Sequence, residues 1–172
     1  MIKNFTPRLY QQTILGTAAN FNTLVVLPTG LGKTALGFLL AAQRLHNYPK
    51  SKILMLAPTK PLCEQHIETF KKHFDIPEEK IVLFTGSVKP EKRAEMWKDA
   101  QVVISTPQGL ENDTINKRVK LEEVSLLVFD ECVTKGTLIN LSNGSKIKIE
   151  KLEKEIEKRK IFVDSLNEKT GN

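Results

Sequence analysis

Residues 24–36 carry the clearest chemical signature of the chain. An apolar run stops at a Pro-Thr-Gly turn, and Gly-Lys-Thr at residues 32–34 then opens a helical pattern. Glycines let the backbone approach an anion closely, and N–H groups at the start of a helix point at it. A lysine here supplies charge to the β- and γ-phosphates of a nucleotide, and the threonine hydroxyl binds Mg²⁺. The pattern predicts a nucleoside triphosphate with Mg²⁺, although Leu27 replaces the first glycine of the motif. The residues expected to bind it are Thr29, Gly30, Gly32, Lys33 and Thr34, the last also as a metal ligand.

A second signature follows the apolar run at residues 126–129, which ends in Asp130 and Glu131. In phosphate-loop ATPases the first carboxylate at such a strand end holds Mg²⁺, and the second polarises the attacking water. A strand that ends in Asp-Glu is common by itself. Its position downstream of a phosphate loop favours the catalytic interpretation over a merely acidic surface.

Three further turns share small and hydroxyl-bearing residues, at residues 57–62, 85–87 and 105–108. Exposed N–H groups and hydroxyls there suit the phosphodiester oxygens of a nucleic-acid backbone. Ordinary helix capping is the alternative for each turn alone, because Ser and Thr are preferred N-caps. Three such turns beside a nucleotide loop favour nucleic acid. The expected contact residues are Pro58, Thr59, Lys60, Thr85, Gly86, Thr106 and Pro107.

The segment before the phosphate loop includes Tyr10 and Gln11. Gln11 offers both a donor and an acceptor, as recognition of adenine requires. Tyr10 is expected either near the base or in the protein core. This segment is informative only in combination with the phosphate loop.

The elements that must position these residues alternate along the chain. Nearly continuous apolar runs, typical of strands covered on both faces, occur at residues 23–27, 52–57, 81–84, 101–105 and 125–130. Helical patterns lie between them at residues 33–46, 61–73 and 90–98. Strands separated by such helices predict an α/β fold with a parallel sheet and flanking helices. The candidate turns all follow strand ends, so we expect them to converge on one edge of that sheet.

Composition limits the class of protein. The chain has 172 residues, 40% of them hydrophobic, which is compatible with a packed domain plus a fragment. No run approaches the ~20 apolar residues of a membrane span, and the start lacks a signal-peptide core, so a cytoplasmic protein is expected. The net charge of +6 permits a polyanionic partner. His66 and His73 lie two helical turns apart, but no third ligand accompanies them, so no metal site is predicted there.

The pattern changes at Cys132. Residues 137–149 alternate around Asn143-Gly144, which predicts a β-hairpin. A charged helical stretch at residues 150–160 and a strand at residues 161–166 follow. We therefore predict two domains, although the tail could instead continue the first one. The predicted domains are residues 1–131 and a small β-rich segment at residues 132–172.

Together these residues resemble a superfamily 2 helicase. The segment Arg8-Leu9-Tyr10-Gln11 is similar to the Q-motif, residues 28–34 to motif I, residues 57–62 to motif Ia, and Asp130-Glu131 to the start of motif II. The Thr85-Gly86 and Thr106-Pro107 turns look like further strand-contacting motifs. The amino-acid sequence of residues 24–34 and 56–66 is most similar to the archaeal helicase-nuclease family called Hef, whose members are relatives of the Fanconi-anaemia-linked DNA translocase.

The resemblance covers residues 6–131 and implies a RecA-like ATP-binding lobe. It implies ATP contacts from Arg8 and Gln11 beside the phosphate loop, Mg²⁺ at Thr34 and Asp130, and catalysis by Asp130 and Glu131. That family acts on branched DNA such as stalled forks, so DNA is the expected partner and ATP-dependent DNA helicase the expected activity. The chain carries no second helicase lobe with an arginine finger, and we expect it to be inactive alone.

Motif II breaks at Cys132, because Val133 stands where the family has histidine. Residues 132–139 resemble instead the opening block of an intein, and the hairpin pattern fits the same likeness. The resemblance implies that Cys132 is the splicing nucleophile, whose sulfur attacks the Glu131 carbonyl and turns an amide into a thioester. The later intein blocks are missing from the sequence, so a complementary C-terminal intein segment is a further expected partner.

Two other functions stay open from the sequence. A different phosphate-loop enzyme, such as a nucleotide kinase or a small GTPase, would not need the Q-like segment, and a GTPase would carry an Asn-Lys-x-Asp base reader that is missing. A nucleic-acid-binding module with a silent nucleotide loop would not need to keep Lys33, Thr34, Asp130 and Glu131.

Overall fold

The computed structural model describes residues 2–3, 5–28, 30–130, 138–140 and 146–148, with side chains up to residue 130. The chain divides into two compact units. The first unit comprises Met1–Pro7 and Thr34–Cys132, and the second comprises Arg8–Lys33 and Val133–Asn172. Within the described residues, no helix has the length and apolar character needed to cross a membrane.

The first unit contains a parallel four-stranded sheet. Its strands are β1 (Lys52–Leu56), β2 (Ile81–Phe84), β3 (Val102–Ser105) and β4 (Val124–Phe129), in the spatial order β2-β3-β1-β4. All five residues of β1 are buried, as the continuous apolar run predicts for a strand covered on both faces. Because every pairing is parallel, the four carboxyl ends lie at one edge of the sheet. The predicted fold class and the convergence of these strand ends are confirmed.

Helices α3 (Lys60–His73), α4 (Pro90–Asp99) and α5 (Pro107–Ile115) connect successive strands of this sheet. Helices α1 (Leu9–Ala18) and α2 (Lys33–Asn47) precede β1 in the chain. Helix α2 packs closely on the sheet, since a Cβ atom at Gly37 would lie 3.4 Å from Val128 Cγ1. Helix α4 covers an apolar cluster in which Trp97 packs against Phe84, with ring centroids 6.3 Å apart. Helices α1 and α5 lack a clear apolar stripe, which is why the sequence pattern does not predict their bounds.

The predicted strand at residues 23–27 is wrong. These residues form no ladder and are not part of the four-stranded sheet. A strand exists only where its N–H and C=O groups pair with a neighbouring strand, so an apolar run is not sufficient. Val26 is in fact 44% exposed, whereas a strand covered on both faces would bury it.

The second unit contains α1, the phosphate-loop segment and a two-stranded antiparallel hairpin. Its strands are β5 (Leu138–Asn140) and β6 (Lys146–Lys148), with Ile139 opposite Ile147. The predicted hairpin is therefore confirmed in its strands. Asn140 pairs with Lys146, whereas a two-residue Asn-Gly turn would pair it with Ile147. The turn itself, the predicted helix at 150–160, the predicted strand at 161–166 and the predicted domain boundary after residue 131 lie outside the described residues.

Candidate nucleotide and nucleic-acid site

The phosphate loop has a backbone that only glycine adopts easily at two positions. Gly30 has φ of +84° and Gly32 has φ of +71°, and both lie in the left-handed region. Between them, the Leu31 N–H donates to the Pro28 carbonyl at 3.4 Å and closes a turn. Helix α2 begins directly after the second glycine, at Lys33. Its first N–H groups have no partner inside the helix, and its first turn holds no acidic residue that would repel a phosphate.

The Lys33 side chain folds back onto its own loop. Its Nζ donates to the Leu27 carbonyl oxygen at 2.7 Å. Leu27 is the position at which the motif has glycine, and here its carbonyl holds the ammonium group that the motif assigns to phosphate. Lys33 could bind a phosphate only if this contact with the Leu27 carbonyl were broken.

The Q-like segment is attached to the phosphate loop by a hydrogen bond that the sequence does not reveal. The Tyr10 hydroxyl donates to the Leu31 carbonyl at 2.7 Å, so Tyr10 holds the loop and is not only a core residue. Gln11 is 3% exposed, and its Oε1 accepts the Arg8 N–H at 2.9 Å at the start of α1. The Gln11 carbonyl predicted to read adenine thus also caps a helix. Thr29 lies outside the described residues.

Asp130 lies where the sequence predicts it, at the carboxyl end of β4. Its N–H donates to the Leu56 carbonyl at 2.9 Å, which extends the pairing of β1 with β4 by one residue. One carboxylate oxygen, Oδ2, lies 3.0 Å from Nε2 of His66. Glu131 and Cys132, the predicted water-activating residue and the predicted splicing nucleophile, lie outside the described residues.

His66 is a site residue that sequence reasoning missed. It is 2% exposed on α3, and its Nε2 lies at ion-pair distance from Asp130 without the alignment of a linear hydrogen bond. Its Nδ1 is buried without a hydrogen-bond partner among the described residues. The signal was available, because Cys63, His66 and Phe70 form the buried stripe of α3 at positions i, i+3 and i+7. A histidine in that stripe had to face the sheet.

Mg²⁺ and ATP fit the donors that these elements offer. Hydroxyl and carboxylate oxygens are the hard donors that Mg²⁺ prefers, and Thr34 and Asp130 supply one of each. The left-handed glycines and the free N–H groups at the start of α2 suit a polyphosphate. Among the described residues there is no cluster of three histidine, cysteine or acidic side chains that would indicate a different metal.

The turns predicted to contact nucleic acid follow three adjacent strands, β2, β3 and β1, along one edge. Pro58, Thr59 and Lys60 are exposed after β1. Pro107 is exposed after β3. These residues are accessible at the carboxyl edge of the sheet, and their contact with nucleic acid stays a prediction.

The capping alternative also holds for two of the hydroxyls. Thr59 Oγ1 accepts the Leu62 N–H at 3.5 Å, and Thr106 Oγ1 accepts the Gly109 N–H at 3.3 Å. A hydroxyl that accepts in this way still keeps its own O–H as a donor for a phosphate oxygen. Capping and phosphate contact are therefore compatible at the same side chain.

Thr85 differs from the other predicted contact residues. It is 2% exposed, and its hydroxyl has no hydrogen-bond partner among the described residues. The neighbouring Gly86 is exposed, and a Cβ atom there would meet nothing within 4 Å. At this turn the exposed backbone around Gly86, and not the Thr85 side chain, is available to a ligand.

A family model described as DEAD/DEAH box helicase matches residues 8–161. The chain belongs to this helicase family. The crystal structure of the Hef helicase domain from Pyrococcus furiosus matches 73% of the chain with a TM-score of 0.70 and 51% identity. The predicted resemblance to a superfamily 2 helicase of the Hef type is confirmed, and the family match excludes a nucleotide kinase or a GTPase.

Two curated relatives extend this likeness. The chain is 46% identical over 129 residues to the Methanocaldococcus jannaschii protein MJ1505, with 75% of the chain matched. It is 40% identical over 132 residues to the Drosophila melanogaster DNA helicase Fancm, with 74% matched. The chain covers 16% of the first relative, 9% of the second and 26% of the Hef structure. It therefore spans a small part of the length of each.

Proposed function

We propose that this chain forms the nucleotide-binding part of an ATP-dependent DNA helicase or translocase, and that it binds ATP·Mg²⁺ through residues 30–34. The observation that carries this proposal is the pair of left-handed glycines directly before α2, with Lys33 at its first position. In this scheme Lys33 leaves the Leu27 carbonyl and binds the β- and γ-phosphates. Thr34 and Asp130 hold Mg²⁺, which neutralises charge on the phosphates when bound.

The remaining nucleotide contacts extend the same proposal. Arg8 and Gln11 are assigned to the adenine end, where the Gln11 amide N–H is the donor that its capping contact leaves available. Glu131 follows Asp130 directly and is assigned to the orientation of the attacking water.

The nucleotide proposal is tested by thermal unfolding with and without ATP·Mg²⁺. The wild-type chain is expected to gain several degrees of Tm at saturating nucleotide, because a ligand that binds only the folded state stabilises it. Lys33→Ala removes the mobile charge and should abolish this gain. Equal gains in both proteins, or no gain in the wild type, would contradict the proposal and the second outcome would favour a silent nucleotide loop.

The second part of the proposal is that a DNA strand binds along the carboxyl edge of the sheet. Its support is the exposed row of N–H groups and hydroxyls at the turns after β1, β2 and β3, together with the name DNA helicase carried by the Drosophila relative. The Methanocaldococcus relative is instead named as an RNA helicase. The Hef-like resemblance favours branched DNA such as a fork as the substrate.

Fluorescence anisotropy with a labelled fork, a single DNA strand and an RNA strand of the same sequence tests this part. Forked DNA is expected to bind most tightly, and preference for RNA would contradict the proposal. Lys60→Ala should weaken binding of all sequences alike and lower the salt slope by about one phosphate contact. Lys50→Ala is the matched control, because Lys50 is an equally exposed lysine that precedes β1 and lies toward the opposite edge.

We propose further that residues 132–172 begin an intein and that Cys132 attacks the Glu131 carbonyl. The support is the sequence pattern after residue 131 and the hairpin of β5 and β6. The test supplies complementary C-terminal intein segments in trans with an added thiol that intercepts the thioester. Cleavage between Glu131 and Cys132 that is lost in Cys132→Ala is the expected result. No cleavage with any of several related segments would contradict it.

A further inference from the structure

A buried ion pair joins two helices of the first unit behind the carboxyl edge of the sheet. Asp113 of α5 is completely buried, and Arg93 of α4 is nearly so. Arg93 Nε donates to Asp113 Oδ2 at 2.5 Å, and its Nη2 donates to Oδ1 at 2.7 Å. Two parallel contacts of this kind fix the relative orientation of both side chains. Arg118 makes a looser contact with Oδ1, at 3.4 Å.

The same guanidinium also holds the turn between β2 and α4. Its Nη1 donates to the Val88 carbonyl and, at 3.4 Å, to the Thr85 carbonyl. Both carbonyls flank the exposed Gly86. One buried cation therefore binds the turn after β2 with one nitrogen and α5 with the other two.

Helix α5 begins at the next turn along the edge, after Thr106. The two turns are also joined directly, because Ser105 Oγ donates to the Phe84 carbonyl at 3.0 Å. A Cβ atom at Gly109 would lie 3.2 Å from both Ser105 Oγ and Thr106 Oγ1, so the first turn of α5 lies tightly against the strand end. The Arg93–Asp113 contact thus fixes the distance between two neighbouring turns that expose backbone to solvent.

Stability alone is a weak reason for such a pair. The free-energy cost of removing two charges from water offsets much of their attraction. Apolar residues of similar volume often stabilise a fold equally well. A planar guanidinium group can bind the carboxylate and the two backbone carbonyls at the same time. A lysine or an apolar pair could not reproduce these contacts. The hydrogen bonds that Arg93 donates to the Asp113 carboxylate raise the pKa of Arg93, so its guanidinium keeps its charge at this site.

We propose that Arg93 and Asp113 are positioning residues for nucleic acid, which hold the Gly86 turn and the Thr106–Pro107 turn at the spacing needed to contact one strand backbone together. This inference rests on the proposed binding of DNA at that edge. Neither side chain touches the nucleic acid itself, because both are buried.

The test compares DNA affinity in the full chain carrying Arg93→Met together with Asp113→Leu. Leucine has the same branched skeleton as aspartate, and the double change leaves the net charge unaltered. We expect a wild-type-like Tm and an unchanged stabilisation by ATP·Mg²⁺, but DNA binding at least tenfold weaker with a smaller salt slope. Arg118→Ala is the control, since it removes a positive charge and a contact with Asp113 without touching the turn.

Arg93→Lys is the second variant, and it keeps a charge beside Asp113 if the apolar pair does not fold. This variant should remain folded and should bind DNA about tenfold more weakly than the wild type, because an ammonium group cannot bind the carboxylate and the backbone carbonyls of the turn at the same time. Wild-type affinity and salt slope in either folded variant would overturn the positioning role. A wild-type chain that fails to bind any nucleic acid would instead overturn the proposed function on which the role depends.

Discussion

The substitution Gly30→Ala isolates the contribution of backbone geometry to nucleotide binding. A Cβ atom at Gly30 would meet nothing within 4 Å, so alanine adds no clash. Its φ of +84° is nevertheless costly for an L-residue, by about 1–2 kcal/mol. The residue is exposed, so the loop of the free variant has room to relax toward negative φ.

A relaxed loop must return to its original shape when phosphate binds, and the strain then appears as lost affinity. At 1.4 kcal/mol for each factor of ten, the expected loss is about 5–30-fold in Kd for ATP·Mg²⁺, with little change in Tm. Isothermal titration or a fluorescent ATP analogue measures the affinity, and circular dichroism follows the unfolding.

Gly16→Ala is the matched control. Gly16 is exposed within α1, and a Cβ atom there also meets nothing within 4 Å, but its φ is not in the left-handed region. Alanine should stabilise the helix by about 0.8–1 kcal/mol and leave ATP affinity unchanged. If Gly30→Ala matched the wild type in both ATP affinity and Tm, the assignment of the left-handed glycine to phosphate binding would be refuted.

Three further outcomes are expected. The chain alone should release phosphate from ATP far more slowly than 1 per second, with or without DNA, because an arginine finger typically contributes about 10³–10⁵ in rate; turnover of about 1–100 per second would contradict this. His66→Ala should weaken the Mg²⁺-dependent part of the ATP affinity because Asp130 loses its neighbour, and His66→Gln should restore much of this affinity by supplying an N–H donor. The affinity for ATP is measured by titration with and without Mg²⁺, and equal affinities of the two variants would argue against this role. The hydrogen bond from Lys3 lowers the pKa of the exposed Asp75 below its ordinary value of 3.8, so the Tm difference between wild type and Asp75→Asn should persist at neutral pH and vanish as the pH falls through the lowered pKa; a difference that persists in acid would contradict this.

Local patterns predicted the sheet well where burial and pairing agree. The continuous apolar runs became β1 to β4 because each is paired within the sheet, and β1 is buried throughout. The equally apolar run at residues 23–27 does not form a strand. An apolar run indicates that a segment tends to be buried, but it does not show which neighbouring segment would supply the hydrogen bonds of a strand. Helix α5 escaped prediction because its one buried side chain is the charged Asp113.

The candidate site shows the same division between local and distant information. The phosphate loop could be recognised from the sequence because its pattern lies within a few consecutive residues. The left-handed φ angles of Gly30 and Gly32 are those that glycine adopts easily. The position of Asp130 could be predicted because it directly follows an apolar run typical of a buried strand. The attachment of Tyr10 to Leu31 joins residues 21 positions apart, and no local pattern announces it.

The sequence by itself determined the chain order of β1 to β4, the glycine pattern of the phosphate loop and the edge at which the candidate residues follow these strands. These properties depend on side-chain type and on spacings of a few residues, which act before the chain is folded. Only the tertiary structure decided that His66 lies against Asp130, that Thr85 is buried and that Arg93 joins Asp113 across 20 residues. These placements depend on how the helices pack on the sheet, because packing decides which side chains are buried and which polar neighbours lie within reach.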